Sequence, residues 1–277
     1  YWASDGHLTI WTSSQGHFNI RTQTAVMLGL TESMIKVIPM EIGGGFGGKL
    51  VAYLDPVAAV LSKKTGRPVK MTMSRKEVFE GTGPTSGSYM RAKMGANKEG
   101  QITAAEISLA FESGAFPGSP VGTGASYCLA PYLVDNFLLD GYDVVVNKPI
   151  VQAYRAPGSP IAALAVETVI DELAEKLEID PLEFRLKNAP KEGDRYVTGV
   201  PWPSIGCIEL EETMKSHPHY KAPVGGPNRG RGVAVGWWGN NGGESCAIMH
   251  VNADGKVGLI TGSPDIGGSR AAVAMQA

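Results

Sequence analysis

The densest group of residues that could do chemistry is Gly43-Gly-Gly-Phe-Gly-Gly-Lys49. Apolar runs predict a strand before it, from Met34 to Met40, and a helix after it, from Leu50 to Lys64. Because glycine adds no side chain and accepts positive φ, the NH groups of such a turn can approach an anion closely. The turn could hold a phosphate or the oxo group of a cofactor, or it could only let strand and helix pack closely.

Two familiar glycine patterns come close to this one. A P-loop needs Ser or Thr directly after its lysine to hold magnesium, and Leu50 stands there. A dinucleotide-binding loop needs an acidic residue about twenty positions on, at the end of the next strand. The strand that we expect there, Pro68 to Ser74, runs into Arg75-Lys76. An NAD-binding, Rossmann-type dehydrogenase is therefore kept only as an alternative.

Four further segments stand in a fixed order around the glycine turn. They are Trp11-Thr-Ser-Ser-Gln15, Ala153-Tyr-Arg-Ala-Pro-Gly158, Asp180-Pro-Leu-Glu-Phe-Arg-Leu-Lys-Asn188 and Gly262-Ser-Pro-Asp-Ile-Gly267. With the glycine turn, their order and spacing resemble the molybdopterin-binding large subunit of the molybdenum hydroxylases, the xanthine dehydrogenase/aldehyde oxidase family. The resemblance covers nearly the whole chain.

This resemblance implies an oxidoreductase that hydroxylates aldehydes or nitrogen heterocycles with oxygen derived from water. It implies a molybdenum–molybdopterin cofactor, either in the plain form or in the cytosine dinucleotide form, with iron–sulfur and FAD groups on other domains or subunits. The pterin dithiolene holds the metal, so no protein ligand to the metal is expected. A subunit that keeps the fold without the metal, for binding or assembly, is the non-enzyme alternative.

The same resemblance assigns roles to individual residues. Gln15 would donate a hydrogen bond to an oxo ligand of molybdenum, and Gly45, Phe46 and Gly47 would face the metal. Arg155 would lie near the same site. A second set would meet the pterin or its phosphate at the start of a helix: Gly267, Gly268 and Ser269. No catalytic residue is assigned, because the general-base glutamate of the family is expected beyond Ala277; Glu112 and Glu244 have no identifiable partner for acid–base work.

The departures from the family pattern concern substrate recognition. Xanthine-specific members carry Glu directly after Gly-Gly-Lys, where this chain has Leu50, and a substrate-binding Arg that is missing from residues 122–129. Pro157 replaces an aromatic residue, and Gly268 stands where Gln is common. Purine specificity is therefore not expected.

Composition excludes several other classes of function. The formal net charge is −2, from 25 basic and 27 acidic residues, which leaves no electrostatic footprint for nucleic acid or an anionic membrane. No apolar run approaches the roughly 18 residues of a membrane span. The three cysteines, Cys128, Cys207 and Cys246, have no metal-binding spacing and favour a reducing, cytoplasmic location.

The elements that position these motifs mix helices, strands and hairpins without strict βαβ alternation, which favours the α+β class. Two similar hairpins, with turns at Asn97–Gly100 and Asn252–Gly255, suggest two related subdomains. We expect residues 1–220 to be the first part of a molybdopterin-binding region, 221–231 a linker, and 232–277 the start of a second subdomain. Since the chain starts at Tyr1 and ends in an uncapped helix, we interpret it as an internal fragment that is inactive alone.

Overall fold

The computed structural model describes residues 1–239, 243–267 and 269–276. Helices and strands alternate irregularly, which confirms the α+β class. The elements in chain order are β1 (Leu8–Thr12), α1 (His17–Leu28), β2 (Ile35–Pro39), α2 (Asp55–Thr65), α3 (Arg75–Gly81), β3 (Ser88–Ala96), β4 (Ile102–Gly114), α4 (Val121–Tyr127), β5 (Phe137–Val145), α5 (Ser159–Lys176), α6 (Pro181–Asn188), α7 (Cys207–Ser216), α8 (Pro218–Lys221), β6 (Ala247–Val251), β7 (Val257–Thr261) and α9 (Ser269–Gln276).

The chain divides into two compact units. The first unit comprises Tyr1–Pro84, Gln152–Arg155 and Asn240–Ala277, and the second comprises Thr85–Val151 and Ala156–Gly239. The predicted linker, residues 221–231, lies within the second unit. The proposed division into subdomains remains a prediction.

The first unit is built on a β–α–β arrangement. Strands β1 and β2 pair in parallel, from Leu8 opposite Ile35 to Thr12 opposite Pro39, and α1 connects them. A small apolar core holds the three elements and α2 together: Leu8, Ile10, Ala25, Ile35 and Ala59. Parallel strands place their carboxyl ends at one edge, where α/β proteins commonly bind ligands. Gln15 follows β1 and the glycine turn follows β2, so both lie at that edge.

The second unit is a three-stranded sheet packed against helices. Strand β4 lies in the centre, antiparallel to β3 and parallel to β5. One face of β4 is buried at every second residue, as the period of a strand requires. Helix α5 packs on this face through Ala162, Val166, Ile170 and Ala174. The spacing of apolar residues in this helix predicts that Leu164 also lies on the buried face, but Leu164 is 65% exposed.

Helix α6 carries the segment from Asp180 to Asn188, and its polar residues stabilise the fold. Asp180 before Pro181 predicts an N-cap followed by proline in the first turn. The structure confirms it, because the Asp180 carboxylate accepts hydrogen bonds from the amides of Leu182 and Glu183. Asn188 accepts from the amide of Ile102 at 2.8 Å and donates to the carbonyl of Gly100 at 2.9 Å. The polar residues of this segment therefore attach α6 to the first hairpin.

A buried ionic network lies next to α6. The Arg185 guanidinium donates to Oε2 of Glu167 at 3.1 and 2.8 Å, and one of its nitrogens lies 2.8 Å from Asp171. The Tyr132 hydroxyl donates to the other oxygen of Glu167. Burial raises the pKa of Tyr132 well above its usual value, and the charge of Glu167 adds to this effect. Because every charge in this group has a partner, it can stay in the interior.

Several predicted elements are wrong. Apolar residues predict strands at 68–74 and at 232–238, but neither segment forms one, because neither has a partner strand. The glycine- and proline-rich residues 114–124 predict a loop, but α4 begins within them at Val121. The predicted helix from Leu50 begins only at Asp55, where Pro56 occupies its first turn. In the described ranges, no helix combines the length and the apolar character needed to cross a membrane.

The two hairpin turns have matching hydrogen bonds. In the first, the amide of Asn97 donates to Gln101 O at 2.9 Å and the amide of Gly100 to Asn97 O at 3.0 Å. In the second, Asn252 donates to Lys256 O at 2.9 Å and Gly255 to Asn252 O at 3.0 Å. This hydrogen-bond pattern is common in hairpin turns, so it does not test whether the two subdomains are related. Their relation stays a prediction.

Candidate cofactor site

Gln15 is bound to the glycine loop, residues 43–48, by its side-chain carbonyl. Its Oε1 accepts hydrogen bonds from the amides of Gly47 at 2.9 Å and Lys49 at 3.2 Å. The Gln15 amide NH donates in turn to Lys49 O at 2.9 Å. The side-chain NH₂ of Gln15 has no hydrogen-bond partner among the described residues and remains a donor for a ligand.

The loop has a shape that side chains would obstruct. A Cβ atom on Gly45 would lie 2.2 Å from Cδ of Gln15. A Cβ atom on Gly47 would lie 2.5 Å from the carbonyl oxygen of Ala153, and Gly47 has a φ of +100°. Phe46 is a rare non-glycine residue at positive φ, +52°, and its side chain is 59% exposed. The loop is thus held open in a conformation that costs free energy in most sequences.

Residues 152–155 bring the arginine motif to the same loop within the first unit. The amide of Arg155 donates to Phe46 O at 2.8 Å, and the carbonyl of Ala153 lies against Gly47. The Arg155 side chain is exposed, and no carboxylate of the described residues lies within ion-pair distance of it. Its charge is therefore available to an anionic ligand.

The donors of the loop fit an anionic cofactor such as molybdenum–molybdopterin. Four consecutive amides, from Gly43 to Phe46, donate no hydrogen bond within the part of the chain that the structure describes. With the NH₂ of Gln15 and the side chain of Arg155, they form a set of donors and cations without a carboxylate in contact. Successive backbone NH groups in a turn, when they are free to donate, favour oxygen anions.

The segment from Gly262 to Gly267 lies near the start of α1. A Cβ atom on Gly262 would lie 2.9 Å from the Phe18 ring, and the amide of Gly267 donates to Asp265 at 3.3 Å. Asp265 also lines a cavity of about 170 Å³ with His17, Pro39, Met40, Glu41 and Ile42. Burial lowers the pKa of His17, and a backbone hydrogen bond at Thr12 opposes this change. The segment thus reaches the edge where β2 leads into the glycine loop.

The structure therefore brings together Gln15, the Gly45–Gly47 turn and Arg155. It places Gly267 on the segment beside α1 and Ser269 at the first position of α9. Gly268 lies outside the described residues. The roles of these residues toward a cofactor remain predictions.

Comparison with known proteins decides the family. The sequence model of one protein family, the molybdopterin cofactor-binding domain, matches residues 1–189. The chain belongs to the molybdopterin cofactor-binding domain family. It is 35% identical over 219 residues to the nicotinate dehydrogenase large molybdopterin subunit of Eubacterium barkeri, covering 78% of this chain and 52% of that protein.

Other members of the family are similar over more of the chain. The aldehyde oxidoreductase molybdenum-binding subunit PaoC of Escherichia coli K12 is 33% identical over 273 residues, covering 95% of this chain and 37% of that protein. The solved aldehyde oxidoreductase of Desulfovibrio gigas superposes with a TM-score of 0.80 at 27% identity, covering 94% of this chain and 30% of that one. The chain therefore spans about a third to a half of the length of these relatives.

Two residues of the site were not predicted. Lys49 belongs to the glycine motif but received no role, although its carbonyl accepts the amide of Gln15. Ala153 received none because its contribution is a backbone oxygen against Gly47, which residue type does not reveal. The sequence indicated a possible role only through their positions, because Lys49 ends the glycine motif and Ala153 begins the arginine motif.

Proposed function

We propose that the chain is part of the molybdenum-cofactor subunit of a hydroxylase, and that Gln15, Gly45, Phe46, Gly47 and Arg155 bind the cofactor. Gly267, Gly268 and Ser269 complete the site at the N-terminal end of α9, where the helix dipole favours a phosphate or another anion. The relatives named above, a nicotinate dehydrogenase subunit and two aldehyde oxidoreductases, support this proposal.

The observation that carries it is the contact between Gln15 and the glycine loop. The amides of Gly47 and Lys49 both donate to Oε1 of Gln15, so the orientation of the side chain is fixed with its NH₂ group available. A glycine turn that served packing alone would need neither a glutamine side chain of fixed orientation beside it nor four consecutive amides that donate no hydrogen bond among the described residues. A site of fixed donors needs little reorganisation when a charged ligand binds.

When bound, the molybdenum cofactor would supply the two-electron redox chemistry that inserts a water-derived oxygen into a carbon–hydrogen bond. The residues of this chain would orient the group and stabilise its negative charge. Gln15 donates a hydrogen bond through its NH₂, the loop amides donate through the backbone, and Arg155 supplies a cation. Gly45 and Gly47 keep the space clear, since a side chain at either position meets protein atoms.

We propose aldehydes or weakly polar nitrogen heterocycles as the substrates. A site discriminates strongly for a polar substrate only when it provides matched hydrogen-bonding groups. The two groups that the resemblance attaches to purine recognition are missing, with Leu50 at one position and no arginine in residues 122–129. Xanthine should therefore be a poor substrate.

The complete protein would work with other redox centres. We propose that iron–sulfur and flavin groups lie on other domains or subunits, and that the pterin is either the plain form or the cytosine dinucleotide. Two of the relatives are described as subunits, which supports the first point. The three cysteines Cys128, Cys207 and Cys246 are free thiols, which supports a reducing compartment such as the cytoplasm.

The test uses the full-length protein purified with its partner subunits. Molybdenum is measured by elemental analysis, and the pterin by fluorescence after oxidation. Stoichiometric molybdenum and pterin are expected, with a severalfold loss in Gln15→Leu and none in Gln101→Leu, an exposed glutamine of the first hairpin. Bound NAD without molybdenum would instead support the dehydrogenase alternative, and a protein without either would support the non-catalytic one.

A further inference from the structure

Lys49 connects both ends of the glycine loop. Its side-chain ammonium donates to the carbonyl of Ile42, the residue that precedes the loop. Its backbone carbonyl accepts the hydroxyl of Ser14 at 3.0 Å and the amide of Gln15 at 2.9 Å. One residue therefore joins the start of the loop, the end of the loop and the segment that carries Gln15.

The charge of Lys49 has no counter-ion among the residues that the structure describes. The residue is half-buried, and no carboxylate of the described ranges lies within ion-pair distance of its ammonium group. A cation that is partly removed from water loses hydration, and one carbonyl dipole compensates only part of that loss. The free amides of the loop also present positive partial charge, so the surroundings favour the arrival of an anion.

We propose that Lys49 is a positioning residue that braces the glycine loop and supplies a fixed positive charge to the cofactor site. This inference rests on the proposed function, since the anion that it serves is the molybdenum–dithiolene group. A fixed cation stabilises the more negative, reduced state of a nearby centre more than the oxidised state. Lys49 should therefore raise the reduction potential of the bound cofactor as well as its retention.

The experiment compares variants of the full-length holoenzyme. Lys49→Met removes the charge and the bond to Ile42 but keeps an unbranched side chain. Lys49→Gln removes the charge and keeps a donor, and Lys49→Arg keeps both. The matched control is Lys36→Met, because Lys36 is exposed on β2 in the same unit and has no ion pair among the described residues.

Two readouts separate bracing from charge. Molybdenum and pterin per polypeptide report retention, and a redox titration followed by the Mo(V) electron paramagnetic resonance signal reports the midpoint potential. We expect a severalfold loss of molybdenum in Lys49→Met. We expect a lower potential in Lys49→Gln, recovery of both properties in Lys49→Arg, and wild-type values in Lys36→Met.

Each outcome decides between the two proposals. Wild-type protein without molybdenum or pterin would overturn the proposed function, and this inference with it. Wild-type protein with full molybdenum, together with unchanged content and potential in Lys49→Met, would overturn the role of Lys49 alone. If Lys49→Met does not fold, the potential of Lys49→Gln decides, and a value equal to the wild type refutes the electrostatic role.

Discussion

Glu211 on α7 is a carboxyl group that the fold holds out of water. Its residue is 2% exposed, one oxygen accepts the Cys207 thiol at 3.7 Å, and the other has no hydrogen-bond partner among the described residues. Burial raises the pKa of Glu211 from 4.5 to about 7. The Cys207 hydrogen bond and the charge of Arg185 oppose this change, while the charge of Glu167 adds to it.

The consequence is a stability that falls as pH rises. In the unfolded chain Glu211 ionises near 4.5, whereas in the folded chain it keeps its proton until about 7. The folded state therefore binds more protons between these values, and the stabilisation from the neutral carboxyl is complete below pH 4.5 and lost as pH approaches 7. At about 1.4 kcal/mol for each tenfold change in proton affinity, the loss is about 3 kcal/mol.

Glu211→Gln tests this directly, because glutamine keeps the shape of the side chain and cannot ionise. We expect the variant to equal the wild type near pH 4 and to exceed it by up to about 3 kcal/mol at pH 8. Urea unfolding followed by tryptophan fluorescence, at several pH values between 4 and 8, measures the difference. Glu212→Gln is the control, since Glu212 is exposed on the same helix. A wild-type pH slope in Glu211→Gln would refute the reasoning.

Four further predictions concern the site and the chain. Gly47→Val should lower molybdenum content severalfold, because its Cβ would meet Ala153 O at 2.5 Å; Gly48→Ala should lower it little, because its Cβ would make only an ordinary contact with Gly45 O at 3.5 Å, and elemental analysis checks both. Glu178→Gly should raise the unfolding free energy by about 1 kcal/mol in urea titrations, since Glu178 has a φ of +55°. In steady-state assays of the full-length enzyme, aromatic aldehydes should be preferred to xanthine, and the reverse preference would contradict our interpretation of Leu50. The 277-residue chain alone should carry no molybdenum and reduce no dye; steady turnover would place the base within it, with Glu112 and Glu244 as the first residues to mutate.

Local signals were sufficient for helix α6 and for the paired strands, but not for α3, whose capping box at Ser74 and Glu77 went unrecognised. Helix α6 was predicted from Asp180-Pro181, and the observed N-cap uses those residues because capping depends only on the next few amides. The strands at 68–74 and 232–238 were wrong because alternation is local, whereas a strand needs a partner that only the tertiary structure supplies.

Glycines in α4 show how packing overrides local preference. The segment Val121–Tyr127 contains two glycines, and its first four residues fall in the predicted loop 114–124, but the whole segment forms a helix against Phe111 and α5. A Cβ atom on Gly124 would lie 3.1 Å from the Phe111 ring and 3.2 Å from Gly158 O. Gly124 is thus required by a close approach within the second unit, and residue type alone does not distinguish this from a flexible turn.

The glycine loop was recognised from its composition, but the sequence did not reveal why each position is glycine. Gly45 has an ordinary φ, and its lack of a side chain makes room for Gln15. Gly47 needs glycine twice, for its φ of +100° and for its contact with Ala153. A substitution at 45 therefore displaces the glutamine donor, whereas one at 47 distorts the backbone that receives it. The two glycines therefore preserve different parts of one site. The residues that they contact, Gln15 and Ala153, stand about 30 and 106 positions away in the sequence, so no local pattern can predict these contacts.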